Sequence, residues 1–179
     1  MSAPDGSSVR PLALVGLMGA GKSAVARILG ERMGGAVADL DAFIEAEEGC
    51  SIPELFEREG EAYFRRREGE VLHHALAAGA RVIACGGGVV LDPGHRRTLR
   101  ERCRVVWLEV SPGEAMRRMG SPAGRPLLAG GSPLARLEAL LIARTPHYES
   151  VAHLRVKTDG REAQQVADEV LAASAGGES

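Results

Sequence analysis

The octapeptide Gly16-Leu17-Met18-Gly19-Ala20-Gly21-Lys22-Ser23 constrains this chain more than any other stretch, because it fits G-x-x-x-x-G-K-[ST] and sits between two segments of opposite periodicity. Before it, Pro11 to Gly16 is a short apolar run of strand character; after it, Lys22 to Met33 carries Val25, Ile28 and Leu29 at helical spacing. Glycines in such a loop let successive backbone amides converge on phosphate oxygens, and the helix amino terminus adds a favourable dipole. Lys22 then reaches the β and γ phosphates of a nucleotide, and Ser23 is a magnesium ligand. Four matched positions arise by chance in on the order of one chain in a hundred or fewer. Of the 22 basic residues, all but Lys22 and Lys157 are arginine, so a lysine here stands against the habit of the chain. A compact ammonium suits the phosphate cradle better than a planar fork.

The remainder of the chain repeats the strand-then-helix alternation. Ala36 to Asp39, Arg81 to Ala84, Arg104 to Val110 and Val151 to Thr158 are further strand segments. Helix starts are marked by Ser51 with Pro53 and Glu54, Ser111 with Pro112 and Glu114, Asp159 with Glu162, and Ser132 with Pro133. Parallel neighbours need crossover connections, so this order predicts an α/β fold with helices on both faces of a parallel sheet. At 179 residues one domain is expected, spanning 11–172 between flexible tails at 1–10 and 173–179. The segment Met119 to Gly131 is glycine-rich and without helical period, and reads as a plain surface loop or a mobile lid.

Composition narrows the function classes. A net charge of −2 lacks the cationic footprint of nucleic-acid binding, which leaves a small-molecule substrate. No apolar run approaches the roughly eighteen residues of a membrane span, and the first ten residues have no targeting character, so a cytoplasmic protein is expected. Cys50, Cys85 and Cys103 show neither pairing nor metal-ligand spacing and read as reduced structural thiols.

Three further groups of residues can carry chemistry. Asp39 and Asp41 flank Leu40 after the second strand; in extended backbone both would face one site, where one carboxylate can hold magnesium and the other accept a proton from an attacking hydroxyl. The alternative is that Asp41 caps the helix beginning near Ala42. Cys85-Gly86-Gly87-Gly88 closes the third strand and either admits a ligand close to the backbone or forms an irregular turn. Arg65, Arg66 and Arg67 share a helix on which they cannot all face one ligand, so a solvated face is the plain reading of any one. The same holds for Arg125 and Arg144, while Trp107 reads as core.

Taken in order, GLMGAGKS, DLD, SIPELFEREGEAYFRRRE, CGGG, RPLL and the R-x-P-x-Y-x-x-V-A pattern of Arg144, Pro146, Tyr148, Val151 and Ala152 resemble the shikimate kinase family from about Leu12 to Ala172. The resemblance implies a three-layer α/β/α fold like that of nucleoside monophosphate kinases, with a five-stranded parallel sheet in order 2-3-1-4-5 and a lid at about 119–131. It implies transfer of the γ-phosphoryl group of ATP, with Mg2+ as cofactor, to the 3-hydroxyl of shikimate; a monomer is expected. Asp41, Lys22 and Arg125 become the catalytic residues. ATP contacts are implied for Gly19, Ala20, Gly21, Lys22, Ser23, Ala24, Arg118, Arg125 and Arg161. Shikimate contacts are implied for Asp41, Arg65, Gly86, Gly87, Gly88 and Arg144, and metal contacts for Ser23 and Asp39. The chain departs from the family pattern at Ala24, where a hydroxyl residue is usual, and at Ala84 and Cys85, where a hydroxyl usually precedes the glycines. Rival readings are a gluconate or nucleoside monophosphate kinase, and a GTP switch. The last lacks any D-x-x-G segment, and Val156-Lys157-Thr158-Asp159 lacks the asparagine of a base reader.

Overall fold

The computed structural model describes residues 10–120, 128 and 131–175. Among them, five strands and seven helices alternate: β1 (Leu12–Val15), α1 (Lys22–Met33), β2 (Val37–Asp39), α2 (Leu40–Glu48), α3 (Ile52–Ala77, kinked at Gly60), β3 (Val82–Ala84), α4 (Pro93–Arg102), β4 (Arg104–Glu109), α5 (Pro112–Met119), α6 (Pro133–Val151), β5 (Leu154–Lys157) and α7 (Ala163–Ala175). Every strand pairing is parallel and the order is β2-β3-β1-β4-β5, as the family resemblance implies.

The three central strands β3, β1 and β4 are buried on both faces, and their alternation divides the core in two. Leu12 and Leu14 of β1 join Val82, Val106 and Leu108 beneath α1 and α7, which supply Val25, Leu29, Val166 and Val170. Ala13 and Val15 face the other way, with Ile83, Val105 and Trp107, toward α2, α3, α4 and the end of α6. Successive side chains of a strand point to opposite faces, so one short run of apolar residues seeds both layers. Trp107 is core, stacked on Tyr148 at 5.5 Å with Arg155 over its ring. Among the described residues no helix is long and apolar enough to cross a membrane.

Helix starts follow their local signals in three of four cases. Ser51 and Glu54 form a reciprocal capping box, and the Ser111 and Ser132 hydroxyls accept from the amides of Glu114 and Ala135. The expected start at Asp159 is a correction. α7 begins at Ala163, and the Asp159 carboxylate instead accepts from the Ser111 amide at 2.9 Å, tying the β5–α7 loop to the start of α5. Val151, read as strand, closes α6, and β5 starts three residues later. α7 runs on to Ala175, held where Arg104 Nη2 donates to the Ala173 carbonyl at 2.9 Å. Residues 1–9 and 176–179 of the expected tails, and most of the expected lid with Arg125, lie outside the described residues. Of that lid, Leu128 is buried in the core layer shared with α5 and α6.

Candidate active site

Register brings the site together. β3 lies between β1 and β2, and its last residue, Ala84, aligns with Leu14 and with Asp39. The chain leaves β1 into Gly16, β2 into Asp41 and β3 into Cys85-Gly86-Gly87-Gly88, so three functional segments meet at the carboxyl end of adjacent strands. In open parallel sheets that end, where strand order reverses, is where ligands bind. The pocket there has an accessible volume of about 410 Å³ and is lined by Gly19, Gly21, Lys22, Ser23, Ala24, Asp39, Asp41, Cys85, Gly87 and Arg118, among others.

The loop after β1 has the conformation a phosphate cradle needs. Gly21 caps α1 with φ 87° and ψ 18°, left-handed backbone that a side chain would strain. Gly19, at φ 80°, also lies against α5, where a Cβ would come within 2.9 Å of the Ala115 backbone. Lys22 Nζ is folded back onto the loop, donating to the carbonyls of Gly16 at 2.8 Å and Leu17 at 2.9 Å. Burial lowers its pKa to about 8 against the opposing pull of Asp41, Cys85 and Asp39, and Arg144 adds to the lowering. Ala20 is buried beneath the loop and outside the pocket lining.

Asp39 and Asp41 divide their work differently from the extended-strand reading. Asp39 is the cap of α2: one carboxylate oxygen accepts from the Ala42 amide at 3.2 Å, and the other from the Ser23 hydroxyl at 2.5 Å. That removes the alternative in which Asp41 is the cap. Asp41 sits in the first turn of α2 with its Oδ1 buried and unpaired. Burial raises its pKa, with Asp39 and Glu45 reinforcing and Lys22 and Arg65 opposing.

The three glycines after Cys85 are there for room. None has positive φ, but each stands where a side chain would displace a different group. A Cβ at Gly86 would lie 2.7 Å from Glu68 Oε1 and 2.9 Å from Asp41 Oδ1. At Gly87 it would lie 3.4 Å from both Arg144 Nη1 and the Gly16 carbonyl, and at Gly88 2.7 Å from the guanidinium carbon of Arg65. Arg65 and Arg144, 79 residues apart in the chain, therefore meet at one turn. Tyr148 lies four residues beyond Arg144 on the same face of α6 and donates to the Gly87 carbonyl at 2.5 Å, which holds the turn in place.

The other arginines are spoken for. Arg67 joins α3 to α2 through Glu47 at 2.6 Å and Glu48 at 2.8 Å, and Arg66 is largely exposed. Arg118, at the pocket wall, donates to the Gly19 carbonyl at 3.3 Å and the Thr158 hydroxyl at 3.1 Å, bracing the loop against the end of β5. Arg161 is not brought to the pocket lining; its guanidinium is engaged by Glu169 and by the Lys157 and Gln165 carbonyls.

One residue of the site escaped sequence reasoning. Glu68 is completely buried, its Oε2 accepting from Arg65 at 2.8 Å while its Oε1 is unpaired beside Gly86. Burial raises its pKa to about 7, against Arg65. Its position three residues after Arg65 on a helix was the available signal. Of the six buried side-chain atoms without a partner among the described residues, three are Asp41 Oδ1, Arg65 Nε and Glu68 Oε1. Unpaired buried polar atoms are rare, and their gathering at one turn marks a place built for a polar ligand.

A family model for shikimate kinase matches residues 18–175. The chain belongs to the shikimate kinase family. Shikimate kinase from Symbiobacterium thermophilum is 44% identical over 168 residues, covering 89% of this chain and 93% of that relative. The solved structure of shikimate kinase from Acinetobacter baumannii in complex with shikimate is 38% identical with a TM-score of 0.88, covering 92% of each chain. A gluconokinase from Sinorhizobium meliloti, 18% identical with a TM-score of 0.55 over 93% of this chain and 91% of its own, shares the fold alone.

Proposed function

We propose that the chain is a shikimate kinase, moving the γ-phosphoryl group of ATP to the 3-hydroxyl of shikimate to give 3-phosphoshikimate and ADP. The observation that carries the reading is the convergence of a phosphate cradle, an unpaired carboxylate and two arginines on the Gly86–Gly88 turn. Family membership supports the choice of acceptor.

In this reading Lys22 leaves the Gly16 and Leu17 carbonyls for the β and γ phosphates, with Gly19 to Ala24 around them and Arg118 and Arg125 contributing at the nucleotide end. Arg65 and Arg144 hold the shikimate carboxylate with paired donors. The bare Gly86–Gly88 backbone lets the ring approach, and Asp41 accepts the hydroxyl proton as the oxygen attacks. A new oxygen–phosphorus bond forms in line with the bond that breaks to ADP, so most of the catalysis is positioning and charge neutralisation. The raised pKa of Asp41 suits a proton acceptor in a partly desolvated site.

Ser23 and Asp39 fit Mg2+: both are hard oxygen donors, 2.5 Å apart beside the cradle, and this ion takes one or two protein oxygens together with phosphates and water. When bound, it neutralises charge on the β and γ phosphates. Among the described residues no cluster of three His, Cys, Asp or Glu side chains forms a dedicated metal cage, in keeping with so sparse a donor set.

A coupled assay of nucleoside diphosphate release (ADP or GDP) across shikimate, gluconate and AMP, each with ATP and with GTP, tests the reading. Turnover with shikimate and ATP well above the other pairs is expected. Preference for gluconate or AMP would reassign the acceptor, and preference for GTP would reassign the donor.

A further inference from the structure

Beside Glu68 lies a histidine that the reaction above does not use. His95 is 8% exposed, its Nδ1 is buried without a partner, and that atom is 3.8 Å from Glu68 Oε2. The ring occupies a slot made by Gly69, where a Cβ would overlap the imidazole.

The platform beneath it is rigid. Asp92 caps α4 by accepting from the amides of Gly94 at 2.7 Å and His95 at 3.0 Å. Arg96 Nη1 donates back to the Val90 and Leu91 carbonyls at 2.6 and 3.0 Å. The first turn of α4 is thereby locked to the loop that continues from the three glycines. The ring and the Glu68 carboxylate must approach by about half an ångström or more for a hydrogen bond to form. Such a bond would satisfy Nδ1, and a buried polar atom left unpaired is costly.

We propose that His95 is a positioning residue for the acceptor site: its Nδ1–H donates to Glu68 Oε2 and so fixes the direction in which Arg65 presents its guanidinium. Glu68 Oε2 already takes Arg65 Nη1, so an anionic substrate must share that guanidinium with a buried carboxylate. A second donor keeps Glu68 in place while Arg65 turns part of its fork to the substrate. Burial lowers the pKa of His95, against Asp92 and a backbone hydrogen bond to Val89, so the ring is neutral at neutral pH, and donation to Glu68 requires the tautomer that carries its proton on Nδ1. The proposal rests on the assignment of shikimate as acceptor.

Three substitutions test it. His95→Asn puts an amide nitrogen where Nδ1 lies, His95→Gln where Nε2 lies, and His95→Leu offers neither. His95→Leu and His95→Gln should raise the Michaelis constant for shikimate at least about fivefold, equivalent to about 1 kcal/mol, while His95→Asn stays within about twofold of the parent. Turnover number and the constant for ATP should move less than about twofold in all three, the latter also showing that the fold persists. A parent-like His95→Leu, equal losses in Leu and Asn, or a loss shared equally by ATP would overturn the role of His95. A parent enzyme that fails to turn over shikimate would overturn the acceptor assignment and this inference with it.

Discussion

Replacing Gly88 by alanine isolates the acceptor end of the site with a single methyl group. The backbone at Gly88 has φ −103° and ψ 6°, which alanine adopts, so no conformational strain enters. Alanine narrows the unfolded ensemble by about 0.4–1 kcal/mol, but overlap with the paired Arg65 fork opposes that gain, so stability should hold or fall modestly. The new methyl would lie 2.7 Å from the Arg65 guanidinium carbon and 2.8 Å from Nη1, against an ordinary contact of about 3.5–4.0 Å, so the fork must shift by about an ångström. Loss of one charge-assisted hydrogen bond to the substrate carboxylate costs about 1.5–3 kcal/mol, a rise of about tenfold to about 150-fold in the Michaelis constant for shikimate. Gly113→Ala is the control: an added Cβ there meets nothing within 4 Å, and Gly113 lies in the first turn of α5 outside the pocket lining. Coupled ADP-release kinetics at varied shikimate and saturating ATP, then the reverse, separate the two ends. If Gly88→Ala leaves the shikimate constant unchanged, or disturbs the ATP constant as much, the placement of the carboxylate on Arg65 is wrong.

Asp41→Asn should keep the fold and nucleotide binding but lose about a hundredfold or more in turnover, since an amide cannot accept the hydroxyl proton; unchanged turnover would remove Asp41 from the chemistry. Arg65→Lys and Arg144→Lys should each raise the shikimate constant at least about tenfold with little change for ATP. The exposed Arg66→Lys is their control, and parallel behaviour of all three would place the carboxylate site elsewhere. Arg67 is unsuited to that purpose because its bridges to Glu47 and Glu48 join α3 to α2. Lys22, with a pKa of about 8 in the free protein, carries its charge below that pH and loses it above. The profile of kcat/KM for ATP should therefore fall above about pH 8, approaching tenfold per unit, while the kcat limb lies higher because bound phosphates restore the charge. A kcat/KM profile flat to about pH 9.5 would contradict this.

What the sequence made legible was whatever depends on neighbours in the chain. The Gly16–Ser23 loop, the start of α1 at Lys22 and the serine caps at 51, 111 and 132 rest on local backbone chemistry, and the structure has them in place. Asp159 misled because its geometry as a cap was equally available to the Ser111 amide, 48 residues away. Asp39 and Asp41 could not be ranked as caps without knowing that α2 begins at Leu40, directly on the end of β2. The three glycines look like a turn in sequence, and only the approach of Asp41, Glu68, Arg144 and Arg65 shows that they make space. Glu68, three residues after Arg65, and His95 could not be singled out for the same reason: a helical glutamate is ordinarily solvated, and its burial here depends on where α3, α4 and the glycine turn pack.

The central claim concerns one bond, between the transferred phosphorus and the oxygen on carbon 3 of shikimate. Phosphorus NMR of the product made from shikimate and ATP, with proton coupling read at each ring carbon's hydrogen, reports that bond directly. The account predicts a single phosphomonoester coupled to the hydrogen on carbon 3, formed in step with ADP and absent in Asp41→Asn over the same interval. Inorganic phosphate as the only product, or an ester at another hydroxyl, would contradict it.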